Sequence, residues 1–155
     1  LLTSLQYALQ FNRHHPSLLY IEEPEAHLFP SAQTALVEMF ARMIATPKSS
    51  KGLHGIRTIL TTHSPYVLAK INNLIKAGSL AARIGTDKRK ELSKIIPAGA
   101  WLAPEQVRAY AIHERKLVDI IDDHGLINGD YIDDVSATTG MEFDSMLELE
   151  ISIER

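Results

Sequence analysis

Four apolar residues, Leu18–Ile21, run without interruption into Glu22-Glu23-Pro24-Glu25-Ala26-His27-Leu28-Phe29-Pro30. An apolar run with no polar alternation predicts a strand of a parallel sheet, covered on both faces. Pro24 and Pro30 cannot continue a ladder, so the strand must stop at the acidic cluster. A second run, Thr58–Thr62, is mostly β-branched and favours another strand. It ends in His63-Ser64-Pro65, where Pro65 suits the first turn of a helix and Ser64 suits its cap. Between the two runs, Leu36, Val37, Phe40, Met43 and Ile44 recur at helical spacing, with Ser31 placed to cap them. Leu2, Leu5, Ala8 and Leu9 predict a further helix over residues 1–12, followed by a polar loop containing Pro16.

The resulting order is helix, strand, helix, strand, helix, which implies an α/β fold with a parallel sheet flanked by helices. Such sheets bind ligands beyond the carboxyl ends of their strands. Glu22, Glu23 and His63 all fall at that edge. The expected division is a core over residues 1–72 and the remaining strands with a small α+β extension over 73–155. In the latter, Leu80–Ile84 reads as a short strand, Val107–His113 with Leu117–Ile121 as a hairpin, and Asp130–Met146 as a helix.

Two adjacent carboxylates at a strand end carry a specific chemical possibility. Successive side chains of a strand point to opposite sides, so one can face a hydrated divalent cation and the other an attacking water. Phosphoryl transfer requires both, because positioning and charge neutralisation supply most of its catalysis. The bland alternative for a bare Glu-Glu pair is a solvated acidic turn. The whole string is far more specific. It resembles the Walker B strand and D-loop of ABC-class ATPases, within the P-loop NTPase fold. Glu-Glu-Pro-Glu-Ala-His-Leu places the resemblance in the RecF/SMC/OLD-like group of ATPases, nearest the OLD-like branch. Glu22 stands where that family usually has Asp, and Phe29 stands where its D-loop has Asp. Thr61-Thr62-His63-Ser64-Pro65 is similar to the H-loop of the same family.

The resemblance implies roles residue by residue. Glu23 corresponds to the catalytic base, and Glu22 to the acid that holds Mg²⁺ through water. His63 corresponds to the γ-phosphate contact, and Ala26, His27 and Leu28 belong to the D-loop. His27 is read as shaping that turn rather than ligating a metal, and Ser64 as capping rather than touching ligand. The implied cofactors are ATP and Mg²⁺. The implied partner is a second ATPase subunit, in a homodimer closed around ATP, with nucleic acid as a further candidate. DNA repair and phage defence are the processes such relatives serve.

No G-x-x-x-x-G-K-[ST] occurs in the 155 residues, so the backbone cradle for the β- and γ-phosphates is not among them. The chain opens at Leu1 inside a helical pattern, which reads as a fragment beginning just after the family's signature motif. Hydrolysis is therefore expected of the parent protein and not of this segment alone. With no cysteine, a disulfide framework and a thiolate metal site are excluded. No apolar stretch approaches the ~18 residues of a membrane span, and a cytoplasmic protein is expected.

Charge is uneven. Residues 1–100 carry net +6 and residues 101–155 net -9, a pattern open to a nucleic-acid face, an acidic interaction tail or simple solvated surface. Lys88-Arg89-Lys90 admits the same two readings, phosphate contact or solvated loop. Asp122-Asp123 and Asp133-Asp134 leave a metal-dependent nuclease open, but both lie near glycines, where Asp is common for backbone reasons. His14-His15 lacks a partner at metal-ligand spacing, and Trp101 has no reading beyond packing. A non-catalytic interaction module that keeps the fold is the remaining alternative.

Overall fold

The computed structural model describes residues 18–45, 57–130 and 141–146. The expected helix over residues 1–12, the loops around His14-His15 and 47–55, Asp133-Asp134 and most of the helix expected over Asp130–Met146 lie outside these. Residues 141–146 are helical.

Strand β1 (Leu18–Glu22) and strand β2 (Arg57–Thr61) pair in parallel, with Leu18 opposite Arg57 and Glu22 opposite Thr61. Helix α1 (Pro30–Ala45) connects them and packs on one face of the pair. Ile21 and Phe40 are buried there, surrounded by Leu19, Leu36, Met39, Met43 and Leu60. The opposite face carries Leu18 and Tyr20, which are 65% and 59% exposed, and Ile59 at 48%. The expectation of a strand covered on both faces is thus corrected. Alternate residues of β1 are open, because among the described residues α1 covers only one side.

Pro30, not Ser31, opens α1. Phe29 occupies the cap position and its carbonyl accepts from the Ala32 and Gln33 amides. Proline is pre-set for the first helical position, where its missing N–H costs nothing. Ser31 therefore falls inside the helix, contrary to the reading of it as the cap. Helix α2 (Pro65–Ala81) also starts on proline, and here the expected cap is present: Ser64 Oγ accepts from the Val67 amide at 3.3 Å. The helix extends to Ala81, into the segment expected as the strand Leu80–Ile84. Residues 82–84 then turn into helix α3 (Thr86–Ile95). The apolar residues 80 and 81 continue the buried stripe of α2, and that packing overrides the short-strand pattern.

The main core joins Val37 and Ala41 of α1 to Val67, Leu74 and Ile75 of α2, closed by Ala100 and Leu102. Gly78 makes this closure possible. A Cβ there would lie 2.0 Å from the Leu102 carbonyl oxygen, and the Leu102 amide donates to the Leu74 carbonyl at 3.1 Å. The expected hairpin is present as strands β3 (Tyr110–His113) and β4 (Lys116–Asp119), antiparallel across a Glu114-Arg115 turn whose residues both have positive φ. Asn72 of α2 holds the segment beyond it, pairing its amide side chain with both the N–H and the C=O of Ile127 at 2.8 Å. The expected boundary at residue 72 falls within α2.

Candidate functional site

β1 ends at Glu22, and Glu23 follows with φ +40°. Side chains rarely adopt this left-handed region, because Cβ crowds the backbone. Here it is held from β2: the Glu23 amide donates to the Thr61 carbonyl at 3.1 Å and to the Thr61 hydroxyl at 3.2 Å. Glu23 therefore lies just past the strand geometry on which the expected alternation rested. Two successive turns follow. The Ala26 amide donates to the Glu23 carbonyl and the Leu28 amide to the Glu25 carbonyl, both at 2.9 Å. His27, with φ +65°, takes the second left-handed position of this segment.

β2 delivers His63 two residues beyond its end, at the same edge of the sheet. His63 Nε2 lies 3.1 Å from Glu23 Oε1. Both side chains face water, His63 at 87% exposure and Glu23 at 47%. A pair so open adds little to stability, and both groups are accessible to a ligand. They stand in the wall of an open cleft of about 340 Å³, with Ala26, His27, Gln33 and the Ser64–Tyr66 start of α2. Of the residues singled out from sequence, Glu23, His63, Ala26 and His27 share this cleft. Glu22 and Leu28 do not line it. Glu22 is exposed at the strand end, in register with Thr61, on the face of Leu18 and Tyr20.

Beneath the cleft lies a network that sequence reasoning missed. Glu25 is 5% exposed. Its Oε1 accepts hydrogen bonds from the Thr62 hydroxyl and, at 3.3 Å, from the His63 amide. The Ser64 amide donates to Thr62 Oγ1 at 3.0 Å. Ser64 Oγ donates to Gln33 Oε1 at 2.5 Å, and Gln33 Nε2 donates to the Leu28 carbonyl at 2.9 Å. The turn after β1 and the turn after β2 are thereby tied together. The partners are separated by 37 and 38 residues, so no local pattern announces them. The only signal was a carboxylate beside Pro24 in the acidic string.

Among the described residues the lining contains no Lys or Arg. A polyphosphate would find few donors here beyond His63 and the amino end of α2, whose partial positive charge favours anions. The described residues hold no group of three or more His, Asp or Glu able to bind a metal alone. Mg²⁺ does not need one, since it is commonly held by one or two carboxylates, water and substrate phosphates. Glu22 is an exposed carboxylate of the type that mode uses, placed at the strand end outside the cleft lining. Elsewhere, Asp122 Oδ1 accepts from the His124 and Leu126 amides at 2.8 Å. This acid is engaged in a turn, as the neighbouring Gly125 implied. Among the described residues no helix is long and apolar enough to cross a membrane.

No curated protein and no solved structure matches the chain. A family model, the AAA ATPase domain, matches residues 1–68. The match takes in β1, the acidic turn, α1, β2 and His63, and stops within α2. Together with the parallel β1–α1–β2–α2 arrangement, it supports an AAA-type ATPase of mixed α/β, P-loop NTPase fold, a class that acts on nucleotide and typically uses Mg²⁺.

Proposed function

We propose that the cleft is the hydrolytic half of an ATP site of ABC type. Glu23 is the general base, His63 the γ-phosphate contact, and the Ala26–Leu28 turn the D-loop. The observation that carries this reading is the 3.1 Å approach of Glu23 Oε1 to His63 Nε2 at the carboxyl edge of two adjacent parallel strands. A carboxylate in contact with an imidazole, both open to solvent, can orient a water beside the pair and accept its proton. In the reaction that water's oxygen bonds to the γ-phosphorus, the bond from that phosphorus to the β-bridging oxygen breaks, and ADP leaves. Glu23 takes the proton that the water gives up, and His63 donates toward the phosphoryl oxygens. Mg²⁺, when bound, offsets phosphate charge, and Glu22 is the residue that would hold it through water.

The phosphate cradle comes from outside these 155 residues, and the partner is a second ATPase subunit whose ATP-bound face closes on the D-loop turn. DNA repair and phage defence are the processes proposed for such a pair.

The test is steady-state ATP hydrolysis by the intact protein, wild type against Glu23→Gln. Turnover is expected to fall by about 10²-fold or more, as for loss of a general base, with ATP binding retained. Wild-type turnover in the variant would overturn the assignment.

A further inference from the structure

The cleft wall contains one charged side chain that the proposed chemistry does not use. Glu25, just after Pro24, is buried, unlike Glu22 and Glu23 before it. Burying a carboxylate is costly unless its oxygens find donors. One oxygen, Oε1, finds two, the Thr62 hydroxyl and the His63 amide. The other, Oε2, is buried with no partner among the described residues. An acidic side chain held this way is not there for solubility, and a turn of this length does not require it. What Glu25 does physically is bridge. It grips the main chain at the residue whose imidazole meets Glu23, from a position two residues beyond Glu23.

We propose that Glu25 is the positioning residue of the site, fixing His63 against Glu23 by anchoring the turn after β2 to the turn after β1. This deepens the ATPase reading and rests on it for its catalytic consequence. His63 is 87% exposed, so little side-chain packing restrains its ring. The ring goes where the backbone carries it. That backbone is held by the amide bond to Glu25 and, one residue on each side, by Thr62 and Ser64. Loss of the Glu25 oxygen removes the holds on Thr62 and His63 together, while Ser64 keeps its own bonds to Thr62 and Gln33. A displacement of about 1 Å in a positioned group costs on the order of 10²-fold in rate, so an anchor of this kind acts on turnover rather than on substrate affinity.

The experiment compares Glu25→Ala and Glu25→Gln in the intact protein by two readouts. Glutamine keeps a carbonyl oxygen able to accept from both Thr62 and His63; alanine keeps none. The first readout is ATP turnover. Alanine is expected to lower kcat at least about tenfold with KM for ATP within about twofold, and glutamine to remain within about threefold of wild type on both. The second readout is amide hydrogen exchange at His63, whose N–H donates to Glu25, without nucleotide. Exchange there is expected to quicken at least about tenfold in the alanine variant and to stay near wild type in the glutamine variant.

Unchanged exchange in the alanine variant overturns the proposal. So does a glutamine variant as impaired as alanine, because Oε2 or the charge would then be what matters. If circular dichroism shows the alanine variant unfolded, Glu25→Asp, which withdraws the carboxylate by one methylene, is judged by the same two readouts. The two ideas fail separately. Wild-type hydrolysis by Glu23→Gln removes the ATPase reading, while the exchange data still decide whether Glu25 holds His63.

Discussion

Glu23 combines an unfavourable backbone conformation with an exposed, chemically useful side chain. Its φ of +40° belongs to a region that glycine enters freely. A strained conformation kept at a candidate base links local structure to function. Replacement by glycine separates the two. Glu23→Gly is expected to cost no more than about 0.5 kcal/mol in denaturant unfolding, whereas glycine in an ordinary helix or strand interior costs up to about 1 kcal/mol. ATP turnover by the same variant should be abolished. A destabilisation well above 1 kcal/mol would mean that the carboxylate, and not only the backbone amide bonded to Thr61, holds the turn. His63 is the opposite case: its backbone is tethered and its ring is exposed, meeting only the open Glu23 carboxylate, so substitutions of the ring should alter turnover and leave stability nearly unchanged.

At the scale of elements, α2 organises what surrounds it. Its first turn presents Ser64 and Tyr66 to the cleft, its middle buries Leu74 and Ile75, and Gly78 admits the backbone at Leu102. Helix propensity alone predicts that Gly78→Ala stabilises by about 1 kcal/mol. The 2.0 Å approach to a backbone oxygen reverses the sign, because a main-chain atom inside a packed core cannot step aside cheaply. Gly78→Ala is therefore expected to destabilise by roughly 1–3 kcal/mol, as overpacked cores do, measured by the midpoint of urea unfolding. A more stable variant would show that residues 101–103 do not pack on α2 as described. Asn72 makes a comparable link by mimicking a strand neighbour for Ile127.

For the molecule as a whole, the acid side of the stability profile has an identifiable contributor. Arg42, by its hydrogen bond, and then Lys70 hold the Glu38 carboxyl below its ordinary value. The Lys70 contact at 2.9 Å joins α2 to α1, so this charge ties together the two helices that form the core. A carboxylate whose pKa is depressed on folding contributes stability above its unfolded value and loses that contribution as pH falls through its folded value. The effect should therefore be present at neutral pH and fade below about pH 4. Glu38→Gln is expected to lower stability at pH 7 by about 1 kcal/mol, with the gap to wild type closing as pH drops. Thermal unfolding of both proteins between pH 3 and pH 7 checks this. A constant gap would assign the loss to packing and not to charge.

Much of this arrangement is local and so was legible in the chain. The apolar run ending in carboxylates, the β-branched run ending in His63, the helical stripe between them and Ser64 before Pro65 each follow from neighbouring residues, and each is found. Parallel pairing followed from their order, and pairing alone brings Glu23 and His63 to one edge. The remainder depends on distant partners. Glu23 is turned left-handed by Thr61, Glu25 is buried by a hydroxyl and an amide 37 and 38 residues away, and Gly78 is required by a carbonyl at Leu102. Local pattern records what a residue prefers among its neighbours; it carries no record of which donor or backbone atom the fold will set against it. Sequence therefore determined which groups could do chemistry and at which edge. Only the tertiary structure decided how they are held, because that holding is made of hydrogen bonds and close contacts between segments far apart in the chain.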